Sequence, residues 1–105
     1  MAKHIDISAK ITGERPTVAF SGKTYEVDNG KNNMLLLQQY MTEKHSDVEL
    51  LIHALELLLG KKASAEVDAL NLPLNELQTV YIAVMAAAAG EDYDEAMARF
   101  QKPEQ

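Results

Sequence analysis

A chain of 105 residues is long enough for one domain and too short for two ordinary ones. Nearly half of it is apolar, 47%, so a core can form without metal or disulfide. The absence of cysteine excludes a disulfide framework, a thiolate nucleophile and cysteine-ligated metal, and it suits a reducing cytoplasm. The formal charge is −6, and the imbalance is local: residues 1–31 carry five basic and four acidic groups, residues 32–105 five and twelve. An acidic helical part repels phosphate backbones, which argues against nucleic acid as a partner and for a basic protein patch. The first residues lack a signal-type apolar stretch, and the longest apolar run, ending at Ala89, falls far short of a membrane span.

Residues 4–12 alternate, with Ile5, Ile7, Ala9 and Ile11 on one side and polar residues on the other, the pattern of a half-buried strand. Gly13-Glu14-Arg15-Pro16 supplies a turn. Thr17–Phe20 and Lys23–Val27 then flank Ser21-Gly22, a two-residue hairpin turn. That turn sets Val18 opposite Tyr25, Pro16 opposite Val27 and Phe20 opposite Lys23. Thr17 then faces Glu26, and Ala19 faces Thr24. One face comes out largely apolar and the other polar, so turn and pattern agree.

Asp28–Asn33 is a polar breaker, after which the period changes. Residues 34–44 read as a helix capped by Asn32 or Asn33. Ser46-Asp47-Val48-Glu49 has capping-box spacing, which starts a second helix over about 47–59, closed by Gly60. On it Val48, Leu51, Ile52, Leu55, Leu58 and Leu59 form one stripe. Leu50, Ala54 and Leu57 widen that stripe to roughly 220° of the helix circumference. Such a helix is either central to the fold or shared with another chain.

Lys61-Lys62 suit the end of that helix, where cations complement the dipole. Residues 64–70 read as a short helix capped by Ser64, with Val67 and Leu70 turned inward. Leu72-Pro73-Leu74 breaks it and opens a helix over about 74–89, with Leu74, Leu77, Tyr81, Val84, Met85 and Ala88 along one side. Gly90 ends that helix. Asp92 with Glu95 caps a last one, which Pro103 stops.

Chemistry-bearing patterns are sparse. His45, Glu49, His53 and Glu56 could share a polar helical face with metal-ligand spacing, but Ser46 starts the helix after His45, and a solvated stripe is the simpler reading. Glu91-Asp92 and Asp94-Glu95 sit at a helix start, where negative charge is favoured without catalysis. No Gly-x-Ser-x-Gly and no glycine-rich phosphate loop occurs. Met34, Met41, Met85 and Met97 read as core before they read as an adaptable surface.

The strand-turn-strand stretch Pro16–Val27, the leucine-rich helices, the Leu72-Pro73-Leu74-Asn75-Glu76-Leu77 opening and the ending Tyr93-Asp94-Glu95-Ala96-Met97-Ala98-Arg99-Phe100 together resemble the small tail assembly chaperones encoded ahead of the tape-measure protein in siphophages and prophages. The resemblance covers most of the chain in pattern, and Arg99-Phe100 is its nearest local match. It implies a non-catalytic role in the host cytoplasm: such proteins coat or escort the aggregation-prone tape-measure protein while tail-tube subunits assemble, and some self-associate.

The expectation is one α+β domain over 1–105, with a β-region at 1–31 and a helical region at 32–105. A two- or three-stranded antiparallel sheet, with the hairpin at about 16–27 and a strand at 5–11 beside it, precedes four or five packed helices. No catalytic residue, cofactor or metal is expected. Protein binding is assigned to Leu50, Ala54 and Leu57. The expected partners are a tape-measure client, a tail-tube protein or another copy of the chain, with neither nucleic acid nor membrane. The alternatives are an unrelated small cytoplasmic adaptor or regulatory module, a small enzyme or metal protein using the His45–Glu56 stripe, and a structural subunit kept in the virion.

Overall fold

The hairpin forms because its turn residues accept what a two-residue reversal demands. In the computed structural model, which describes residues 2–101, Ser21 and Gly22 take φ of 53° and 75°, both in the left-handed region that a type I′ turn requires. The turn joins β1 (Thr17–Phe20) to β2 (Lys23–Glu26), antiparallel, with Val18 against Tyr25 and Thr17 against Glu26. The Val27 amide donates to the Pro16 carbonyl at 2.9 Å, carrying the pairing one step further. Tyr25 and Val27 are buried and Val18 and Phe20 half-buried, so one face of the ribbon lies on the helices.

Five helices follow: α1 (Lys31–Thr42), α2 (Asp47–Leu59), α3 (Lys61–Ala69), α4 (Leu74–Ala89) and α5 (Tyr93–Gln101). The fold is α+β, a two-stranded antiparallel sheet ahead of five helices. The strand expected at 5–11 does not form. The Ser8 amide and hydroxyl both donate to Asp6 Oδ1, at 2.9 and 2.6 Å, and bend the chain into a 3-10 turn at Ser8–Lys10. Local side-chain bonds thus compete successfully with pairing to the free edge of the hairpin.

Helix boundaries follow their caps. Ser46 and Glu49 make the reciprocal capping box, with the Glu49 amide 3.1 Å from Ser46 Oγ and the Ser46 amide 2.9 Å from Glu49 Oε1. Asp92 and Glu95 repeat it at the start of α5. Two expectations need correction. The first helix starts at Lys31 behind Gly30, without a side-chain cap. Asn33 lies inside it, donating from Nδ2 to the carbonyls of Asp28 (2.8 Å) and Leu57 (2.7 Å). These two bonds give the asparagine a better use than capping, because they tie the start of α1 to the loop after β2 and to the end of α2. Likewise α3 starts at Lys61, not at Ser64, because Gly60 (φ 89°) lets one residue end α2 and redirect the chain into α3. Of the pair expected inward on α3, Val67 is buried but Leu70 is exposed. Pro103 lies outside the described residues.

The centre of the core is α4. Val80, Tyr81, Ile82, Val84 and Ala86 are all buried, on several sides of the helix at once, because α2, α5 and β1 each pack against it. Leu74, expected on the inward side, is exposed at the first turn, beyond the reach of those neighbours. The Asp28 amide donates to the Leu58 carbonyl at 2.7 Å, and Lys23 meets Glu66 at 2.9 Å. These bonds fasten the hairpin to α2 and α3. Tyr25 adds a hydroxyl contact to the same Glu66 carboxylate at 3.4 Å.

Candidate protein-binding surface

On α2 the buried positions are Leu51, Ala54, Leu55 and Leu58, one face at the 3–4 spacing of a helix against a core. Ala54, expected on the binding flank, belongs to that core and is fully buried. Leu57 is half-buried and packed against the core cluster, close to where Asn33 holds α1. Leu50 is also half-buried, but it lines a groove. On the opposite flank Val48 and Ile52, expected inside the main stripe, remain 44% and 48% exposed. The helix does carry more apolar surface than the chain covers; the inward stripe is rotated about the helix axis from the one read in the sequence.

The groove runs between the first turns of α2, the first half of α4 and α5, with a volume of about 650 Å³. Leu50, Leu51, Tyr81, Ile82 and Met97 provide its apolar lining, with Asp47, Asn75, Gln78 and Thr79 also around it. Burial raises the Tyr81 phenol above its ordinary range, so the ring presents a neutral face at any physiological pH. Apolar walls with a few amide, hydroxyl and carboxylate groups suit the side chains of a peptide segment.

Elsewhere Leu35, Leu36 and Met41 of α1 are exposed, whereas Met34, Met85 and Met97 pack against the core as methionines at helical spacing usually do. The histidine stripe has a different use from the one its spacing offers. His45 and His53 stack on Tyr40, with ring centroids 3.7 and 3.9 Å away and planes tilted by 7° and 22°. Two rings cannot share one face at that separation, so Tyr40 is held between the imidazoles at the corner of α1 and α2. Burial, then the nearby Glu49 and Glu43 carboxylates, push its phenol pKa upward. Glu49 itself is engaged in the capping box. No group of three or more His, Cys, Asp or Glu is disposed to hold a metal ion among the described residues.

In the acidic run at 91–95, Asp92 and Glu95 cap α5, and Glu91 pairs with Arg99. Among the described residues no helix is long and apolar enough to cross a membrane. Uncovered apolar surface lies at the groove, on the outward flank of α2 and at Leu35, Leu36 and Met41 of α1. No family model, no curated protein and no solved structure matches this chain. Sequence reasoning missed the groove, because its lining comes from three helices whose mutual placement no local pattern encodes; only Leu50 was singled out.

Proposed function

We propose that the chain is a non-catalytic, protein-binding chaperone of phage tail assembly that escorts the tape-measure protein in the host cytoplasm. The observation that carries this reading is apolar surface left uncovered on one helix: Leu50 in the groove, and Val48 with Ile52 on the other flank. An amphipathic client helix would seat its apolar side in the groove. The acidic exterior, with a net charge of −6, would keep the complex soluble. The likeness of the hairpin, the leucine-rich helices and the Arg99-Phe100 ending to tail assembly chaperones supplies the choice of client.

The test is co-expression with a siphophage tape-measure protein, followed by co-purification and sedimentation of the complex. The expected outcome is a soluble complex with the native chain and loss of capture with Leu50→Glu, while the far-UV spectrum of the variant is unchanged. A tape-measure protein that stays insoluble and uncaptured beside the native chain refutes the assignment. Capture of an unrelated protein through the same residues would instead support a small adaptor.

A further inference from the structure

The hairpin has an open edge, and the chain carries a segment that matches it. With the Val27 amide on the Pro16 carbonyl, the antiparallel alternation makes Val18 with Tyr25 and Phe20 with Lys23 the hydrogen-bonded pairs. The amides and carbonyls of Thr17 and Ala19 therefore point away from β2, to the outer edge of β1, where both residues are exposed. Burial is uneven in the same direction. Tyr25 and Val27 are buried, whereas Val18 and Phe20 on β1 are only half-buried.

Residues 7–11 fit that edge by parity. Folded back through the loop Thr12–Arg15, they set Ile11 opposite Pro16, Lys10 opposite Thr17, Ala9 opposite Val18, Ser8 opposite Ala19 and Ile7 opposite Phe20. Ile7, Ala9 and Ile11 then extend the apolar side of the ribbon, and Ser8 and Lys10 its polar side. The reversal is already begun, since Gly13 holds φ 75° and the Glu14 amide donates to Thr12 Oγ1 at 3.2 Å. The pairing draws on the amides of Ser8 and Lys10, and the 3-10 turn occupies both: Ser8 on Asp6 Oδ1 at 2.9 Å, Lys10 on the Ile7 carbonyl at 2.8 Å. One donor cannot serve two structures. We infer that residues 7–11 are a strap with two alternative seats, and that the Asp6 carboxylate is its catch. While Asp6 holds the Ser8 amide and hydroxyl, the turn persists. Once it lets go, the segment closes on β1 as a third strand, seals the edge and covers Val18 and Phe20. The groove plays no part in this.

Amide hydrogen exchange of the full chain, read residue by residue by NMR, is the test. In the native chain Thr17 and Ala19 should exchange as open amides. Asp6→Ala removes both bonds of the catch, together worth about 10-fold in the balance between the two seats, and should slow exchange at Thr17 and Ala19 by about that factor. A cross-strand Overhauser contact between the Hα atoms of Ala9 and Val18, a closely spaced non-hydrogen-bonded pair, should appear with it. Adding Lys10→Pro, which deletes a donor to the edge, should abolish both signs. Asp6 and Lys10 are exposed, so the helical spectrum should stay the same in each variant. Thr17 and Ala19 exchanging as fast in Asp6→Ala as in the native chain overturn the inference, as does protection already present in the native chain or slowing that survives Lys10→Pro. A Val18 contact to any residue of the segment other than Ala9 overturns it too, because the strand would then not compete for the Ser8 and Lys10 amides.

Discussion

Leu58 and Ile52 lie on one helix with opposite surroundings, and changing each in turn asks which side of α2 the fold uses. Leu58 is completely buried, against 48% exposure for Ile52. Leu58→Ala deletes roughly three methylene equivalents at about 0.8 kcal/mol each, near 2.4 kcal/mol of transfer free energy. The unfilled space adds to this, so the expected loss is about 3 to 4 kcal/mol, inside the range of buried leucine truncations. For a chain of this size that lowers the melting temperature by on the order of 15 °C. Ile52→Asp should stay within about 0.5 kcal/mol of the native chain, apart from a small helix-propensity penalty. Urea unfolding followed at 222 nm, at a protein concentration low enough to keep the chain monomeric, reads both. A loss for Ile52→Asp equal to that for Leu58→Ala would refute the assigned orientation of α2, and with it the claim of surplus apolar surface.

Asn33→Ala removes both amide bonds from the start of α1 to the carbonyls of Asp28 and Leu57, at an expected cost of about 2 kcal/mol in urea unfolding. Asn33→Asp should be no better, because a carboxylate cannot donate to a carbonyl. The Glu49 carboxyl is held below its ordinary 4.5 by the Ser46 amide and then by the Ser46 hydroxyl. A pKa lowered on folding means stability that is present above 4.5 and lost as pH falls through the folded value. The gap in urea midpoint between the native chain and Glu49→Gln should therefore narrow on acidification below 4.5, and a gap independent of pH would contradict this.

Local rules were legible where the chain satisfies its own needs. The hairpin register followed from Ser21-Gly22 and the alternation around it, because a two-residue turn leaves no freedom to slip. The bounds of α2 followed from Ser46 and Gly60, whose backbone and side-chain chemistry act within one helical turn. Misreadings arose where the outcome depends on distant parts. Ile5, Ile7 and Ile11 alternate as a strand does, yet the Asp6 carboxylate takes the Ser8 amide and hydroxyl and turns the chain there. The inward face of α2 depends on where α4 and α3 come to lie, so Val48 and Ile52 could not be separated from Leu51 and Leu58 by spacing alone. The same limit hid α4 as the centre: a run of alanine, valine and isoleucine looks like a one-sided helix until neighbours cover its other sides. For that reason the same spacing covers Ala54 and Leu57, which pack in or on the core, and Leu50, which lines the groove.

The ring of Tyr40 between two imidazoles gives this molecule a built-in optical probe. There is no tryptophan and there are four tyrosines, so ultraviolet emission comes from phenol rings alone, and one of them is stacked against two other rings. Any event that pries α1 from α2 would separate those rings. Emission at that corner would then report the separation without a label, even while the remainder of the chain keeps its shape.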